Sequence, residues 1–374
     1  MNIFSVPSGM RDLVLTEAKK KRQLQQEIEK TFRLWGYDEV ITPGIEYYET
    51  YAVGFQNIKE QDFYKSMDDH GRIVTLKADM TIPIARVCAT KFKDVSGPLR
   101  FSYSANVFKS HETLSGNKNE ITDCGVELIG LAEPEGDIEI LVTALDALKV
   151  VGTQDFTFEI GDVRFFKEAC KAANLSDEQM EVLADLIDRK ALVDLKNYVN
   201  ELAIDEAYAT FFTEMIWWSG PVDVLDMAQR FAFNDELLAV IDNLRSVYQT
   251  LETLGYKDVV SFDLSKIGNL NYYTGIIFDA FVEGVGLRVL SGGRYDDLLE
   301  RFGKASPAVG FSIKLDQLME AYTYEEQAKK VEIEYGRDAL VEAIALRKTY
   351  DENTIVVLTP NTSITGVKVK GEQL

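Results

Sequence analysis

The chain has 374 residues, enough for two or three domains, with 46% hydrophobic residues and 61 acidic against 40 basic side chains, a formal net charge of −21. That balance argues against nucleic acid as the main partner, because binding phosphate backbones needs a basic face. No apolar run approaches the roughly 20 residues of a membrane span, no signal-peptide core opens the chain, three scattered cysteines make no disulfide framework, and two histidines give no zinc spacing; a cytoplasmic protein with no membrane contact, metal or other cofactor is expected.

In chain order, Thr16 is placed to cap a helix running to about Leu34, with Leu24, Ile28 and Phe32 four apart on a buried face and Gly36 closing it. The one basic cluster, "AKKKR" at 18–22, reads as the solvated side of that helix. "YDEVITPGIEYYE" continues as a strand broken at Pro43, and "GRIVTLKADMTIPIARVCATKF" as a strand, a tight loop and a helix. "LRFSYSANVFKSHE" and "NEITDCGVELIG" read as antiparallel strands joined by the polar loop "TLSGNK", then "DIEILVTALDALKVVG" as an amphipathic helix and "FTFEIGD" as a strand.

From about Val163 the pattern turns helical as far as residue 256. Ser176 and Gln179 form a capping box, while Leu237, Ile241, Leu244, Tyr248 and Leu251 share one face of a helix that Gly255 closes. Strands return at "VSFDLS", in "IGNLNYYTGIIFDAF", in "LRVLSGGRYDD" and in "SPAVGFSIK". Residues 323–374 read as a small strand–helix–strand appendage, too short for a full core of its own.

Common catalytic motifs fail. "FGKAS" lacks the spacing of a phosphate loop, no helix follows "GVGLRV", and no Gly-x-Ser-x-Gly elbow stands near His70 or His111, both expected in loops or at the surface. What remains are paired tyrosines in "NLNYYTG", with flat apolar faces and hydroxyl ends suited to orienting a polar ligand, and "SGGRYDD". In the latter, glycines permit close backbone approach and Arg294 and Tyr295 could point into a cleft; a strand-end bend explains the same residues equally well.

Taken in order, "PSGMRDL", "LKADMT", "GVELIG", "NLNYYTG", "SGGRYDDLLERFG" and "PAVGF" resemble the catalytic core of histidyl-tRNA synthetase, a class II aminoacyl-tRNA synthetase, over roughly residues 5–322. The resemblance implies an α+β fold: a class II synthetase-like core with a mixed, mainly antiparallel sheet flanked by helices and a helical insertion at about 163–256, followed by the appendage. It also implies a histidine pocket, with acids at Asp79 and Glu127 near the ligand's amino group and imidazole, Tyr273 against the imidazole, and Tyr272 and Tyr295 beside it. Asp123 stands where the family usually has Gln.

The departures fall on the cations. Lys109 occupies the first arginine position of the second class II motif, Asn117 and Asn119 stand in its loop, Gln317 replaces the arginine of the third motif, and Gly268 replaces the arginine opening the histidine signature. Transition-state charge on a nucleotide then lacks its stabilisers, and lysine does not reproduce the bidentate fork of arginine. Lys109 is the nearest candidate for the ligand's carboxylate. A synthetase-like core stripped in this way resembles the regulatory subunits of ATP phosphoribosyltransferase. That likeness implies a homodimer within a hetero-octamer, paired with the short-form catalytic subunit, with histidine as effector. The competing reading is a divergent enzyme that still activates histidine with ATP.

Overall fold

The computed structural model describes residues 4–55, 60–111, 118–152, 155–268, 270–325 and 328–373. Two compact units divide the chain, Met1–Thr323 and Tyr324–Leu374.

The first unit is built on a nine-stranded sheet. Its strands lie side by side in the order Asp38–Glu39, Leu99–Phe108, Glu120–Ile129, Ala308–Lys314, Leu290–Arg294, Ile276–Val282, Phe156–Asp162, Val260–Asp263 and Ser219–Gly220. Only the first pair and the Phe156–Asp162/Val260–Asp263 pair are parallel. Glu120–Ile129 is buried almost throughout, as a central strand covered on both faces must be. Helices Leu15–Leu34 and Glu135–Leu148 pack on one face; Leu24, Ile28 and Phe32 are fully buried there, and Phe32 meets Phe311 edge-on at 5.7 Å. The opposite face carries the cavity described below.

The first helix begins differently from the expectation. Leu15–Leu34 has Val14 as N-cap with no side-chain cap hydrogen bond, so Thr16 lies inside it; Glu17 supplies the negative charge that favours a helix N-terminus and takes an ion pair from Arg11 at 2.7 Å. Nor is the basic cluster wholly solvated. Lys21 Nζ reaches the buried Asp316 carboxylate at 3.1 and 3.2 Å, and the same carboxylate accepts the Thr122 N–H at 2.9 Å. This pins the helix to the sheet.

A second, three-stranded antiparallel sheet (Ile45–Tyr47, Ile73–Leu76, Lys65–Met67) leads through a short loop into helix Thr81–Lys91. Between Phe156–Asp162 and Val260–Asp263 run six helices, Val163–Ala172, Asp177–Asp188, Leu192–Glu201, Glu206–Met215, Asp223–Gln229 and Asp235–Thr253. Phe165, Phe211, Phe212 and Trp218, all fully buried, interlock there with ring centroids 5.1–5.9 Å apart. The Ser176–Gln179 capping box is present, and Gly255 ends the last helix at φ +86°.

In the second unit, Lys329–Tyr335 lies between the parallel strand Thr354–Pro360 and the antiparallel strand Val367–Gln373, with helix Leu340–Arg347 against them. The third strand was not expected from the sequence. It completes a sheet around a core of Val331, Ile333 and Ala343.

Candidate functional site

Strand register builds the site. Ala308–Lys314 pairs with Glu120–Ile129 so that Gly310 faces Glu127 and Lys314 faces Asp123. Side chains alternate along a strand, so Asp123 and Glu127 emerge on the same face as Gly310, Ser312 and Lys314. Cys124, Val126 and Leu128 point instead into the core. Gly310 is required at its position: a Cβ there would stand 1.8 Å from Glu127 Oε2.

On this face lies a cavity of about 230 Å³, below the roughly 300–1,000 Å³ of drug-sized sites. All seven residues expected around the ligand (Asp79, Lys109, Asp123, Glu127, Tyr272, Tyr273 and Tyr295) line it. Thr81, Tyr103, Ser312 and Lys314 line it as well and were not expected. Lys314 had a signal in the polar alternation of "GFSIK", but its partner lies 191 residues away.

Glu127 is the buried centre. Thr81 Oγ1 donates to Glu127 Oε1 at 2.7 Å and the Tyr295 hydroxyl donates to Oε2. Burial outweighs both bonds and pushes its pKa up to about 8. Asp79, whose remaining surface faces the cavity, is raised to about 6 by desolvation, opposed by the charge of Lys109 and by the Ile82 N–H donated at 3.0 Å. Near neutral pH Glu127 is therefore largely protonated and Asp79 largely ionised, and both can ionise fully against an incoming cation.

The tyrosines form a wall. Tyr272 stacks on Tyr295 at 5.4 Å and leans on Phe55 at 5.8 Å, while Tyr273 meets Tyr272 edge-on at 4.9 Å. Two cations hold the backbone of this wall: Arg301 donates to Asn271 O at 2.9 Å and to Gly54 O at 2.8 Å, and Lys167, from the first inserted helix, donates to Tyr273 O at 2.8 Å. Asn269 and Asn117 lie outside the described residues, as does most of the segment "TLSGNK". Asn119 turns away from any ligand role, its amide donating to Ser8 O at 3.0 Å and accepting the His111 N–H at 3.1 Å.

Three cation positions come out as follows. Gly268 adopts φ +61° with its Cβ direction 3.3 Å from the Tyr273 ring, so a side chain there would be strained and would press on the wall. Gln317 is not among the lining residues, and its Oε1 is buried without a hydrogen-bond partner among the described residues. Arg294 corrects an expectation: it does not point into the cleft. Its guanidinium is buried against Asp137 at 2.8 Å and Asp296 at 3.0 Å, because strand alternation sends Arg294 and Tyr295 to opposite sides. Among the described residues no cluster of His, Cys, Asp and Glu suits a metal ion, and no helix is long and apolar enough to cross a membrane.

A mainly antiparallel sheet backed by helices, with acids and tyrosines on its open face, defines a class II aminoacyl-tRNA synthetase-like protein. The structure of histidyl-tRNA synthetase from Nostoc sp. PCC 7120 shares this fold, with a TM-score of 0.78 over 95% of this chain and 86% of that one at 22% identity. The family model for histidyl-tRNA synthetase matches residues 9–318. An ATP phosphoribosyltransferase regulatory subunit from Acetivibrio thermocellus is 41% identical over 336 residues, covering 90% of this chain and 79% of that one. Another from Ruminiclostridium cellulolyticum is 38% identical over 315 residues, covering 84% and 75%. A Bacillus halodurans structure described as an ATP phosphoribosyltransferase regulatory subunit/histidyl-tRNA synthetase matches with a TM-score of 0.88 at 29% identity, over 98% of this chain and 95% of that one. The chain belongs to the histidyl-tRNA synthetase-like family and, within it, to the ATP phosphoribosyltransferase regulatory subunits. The regulatory-subunit reading is thereby favoured over that of a histidine-activating enzyme.

Proposed function

We propose that this chain is non-catalytic, that it activates a short ATP phosphoribosyltransferase catalytic subunit lacking a regulatory domain of its own, and that it makes the first step of histidine biosynthesis sensitive to histidine. It works in the cytoplasm as a homodimer within a hetero-octamer of four chains of each kind. Histidine binds in the cavity of Asp79, Lys109, Asp123, Glu127, Tyr272, Tyr273 and Tyr295.

The observation that carries this reading is a cavity of amino-acid size whose acids remain while the cations needed for nucleotide chemistry do not. Gly268 and Gln317 bring no charge, and Gln317 does not line the cavity. Losing one preorganised stabiliser of transition-state charge typically costs on the order of 100- to 1,000-fold in rate. Recognition survives such losses, because carboxyls facing an ammonium or imidazolium group make charge-assisted hydrogen bonds. A sensor needs that much and a coupling to its partner, typically about 1–3 kcal/mol.

The test is phosphoribosyl transfer from phosphoribosyl pyrophosphate to ATP by the short catalytic subunit, alone and mixed with this chain, with and without histidine. The chain should raise the rate, and histidine should lower it only in the mixture. Unchanged activity with separate elution of the two chains would end this reading, and robust histidine-dependent pyrophosphate–ATP exchange by the chain alone would establish an enzyme instead.

A further inference from the structure

Among the described residues lining the cavity, Lys109 and Lys314 are the cations, and the structure treats them differently. Lys109 lies just past the end of strand Leu99–Phe108 and is exposed, and its main-chain N–H donates to Asn119 O at 3.0 Å. Lys314 ends a strand paired on both sides and keeps only 22% of its side-chain surface. Its ammonium is fixed by both Asp123 oxygens, at 2.9 and 3.0 Å, and by Ser312 Oγ at 3.3 Å.

We infer that Lys314, with Asp123 as its counter-ion, receives the carboxylate of an α-amino-acid ligand, rather than Lys109, which lines the same cavity. The inference rests on the proposed reading of the cavity as a histidine site.

Three features support it. Glu127 and Asp123, the partner of Lys314, are four residues apart on one strand, so roughly 13 Å of sheet separates their Cα atoms. The Lys314 ammonium and the Glu127 carboxyl thus occupy different positions along the cavity wall, as the carboxylate and the cationic groups of an amino acid do. A lysine already fixed by its neighbours also loses little side-chain entropy on binding, whereas an exposed one must be ordered. Finally, an ammonium has three donors, and the longest of its bonds, to Ser312, is the one a ligand carboxylate can replace without uncovering the buried Asp123.

The test compares L-histidine with histamine, which lacks the carboxylate, by calorimetry on the full-length protein and its variants. Wild type should bind histidine at least about tenfold more tightly than histamine, the worth of one charge-assisted bond. Lys314→Met should bring that ratio near one while histamine binds at least as tightly as to wild type, because Asp123 then faces the cation unpaired, so that retained histamine binding also reports an intact cavity. Lys314→Arg should restore part of the preference, Lys109→Met should leave it unchanged, and Asp123→Asn should bind histidine at least as tightly as wild type. A Lys314→Met protein that keeps the preference, or loses both ligands together, overturns the inference, as does a Lys109→Met protein that loses the preference. If wild type binds neither ligand, the reading of the cavity as a histidine site fails first.

Discussion

Glu127 is held by two hydroxyl donors, yet burial dominates and its carboxyl keeps a proton up to about pH 8. In the unfolded chain the same group ionises near its ordinary value of 4.5. The native state therefore binds more protons than the unfolded state between these values, and stability falls as pH rises through that window. The group's contribution is fully present below about 4.5 and lost above about 8; Asp79 acts in the same sense from 3.8 to about 6. Glu127→Gln mimics the protonated side chain at every pH. Its melting temperature should match wild type near pH 5 and exceed it progressively up to pH 8.5, by a free energy on the order of a few kcal/mol. A melting difference that stays flat with pH would show that Glu127 ionises normally in the folded protein. A site kept for stability alone would place glutamine here, so the retained acid points to a cationic group that it must meet.

At the scale of elements, the tyrosine wall is a loop between two strands, made rigid from outside by Arg301 and Lys167. Arg301 joins Asn271 O to Gly54 O, so it also places Phe55, against which Tyr272 leans. Arg301→Ala should leave two carbonyls without their donor, at about 1–3 kcal/mol of destabilisation, with faster amide exchange confined to residues 48–55 and 270–275 and weaker histidine binding. Exchange unchanged in those segments would mean the wall is rigid without the clamp. Such clamps were not legible in the sequence, because a side chain donating to a distant carbonyl leaves no periodic pattern. Strands and helix faces were legible for the opposite reason: the stripe of Leu24, Ile28 and Phe32 and the Ser176–Gln179 box are local. Cavity residues such as Asp79 and Glu127 lie within family-like segments and could be named from them, whereas Lys314 meets its partner only through strand register. The sequence leaves the direction of Arg294 open for the same reason, since its partner Asp137 is 157 residues away. The last strand, Val367–Gln373, closes a sheet around a three-residue core too small to mark the sequence with a clear stripe.

At the scale of the whole molecule, regulation is a thermodynamic relation between two binding events rather than a property of either. If histidine changes the affinity for the catalytic subunit by some factor, that subunit must change histidine affinity by the same factor. A coupling of about 1–3 kcal/mol corresponds to roughly 5- to 150-fold, well within reach of calorimetry. The affinity of histidine should therefore be measured on this chain alone and on the assembled complex, and the affinity of the two chains for each other with and without saturating histidine. The two ratios should agree and differ from one. Glu127→Gln, which cannot ionise against the ligand, should weaken histidine in both settings and shift the concentration needed for inhibition by the same factor. If instead histidine binds the free chain and the complex equally while inhibition persists, a ligand with no differential affinity shifts no equilibrium. The effector would then have to act at another site, and the cavity would be a binding site without a regulatory role.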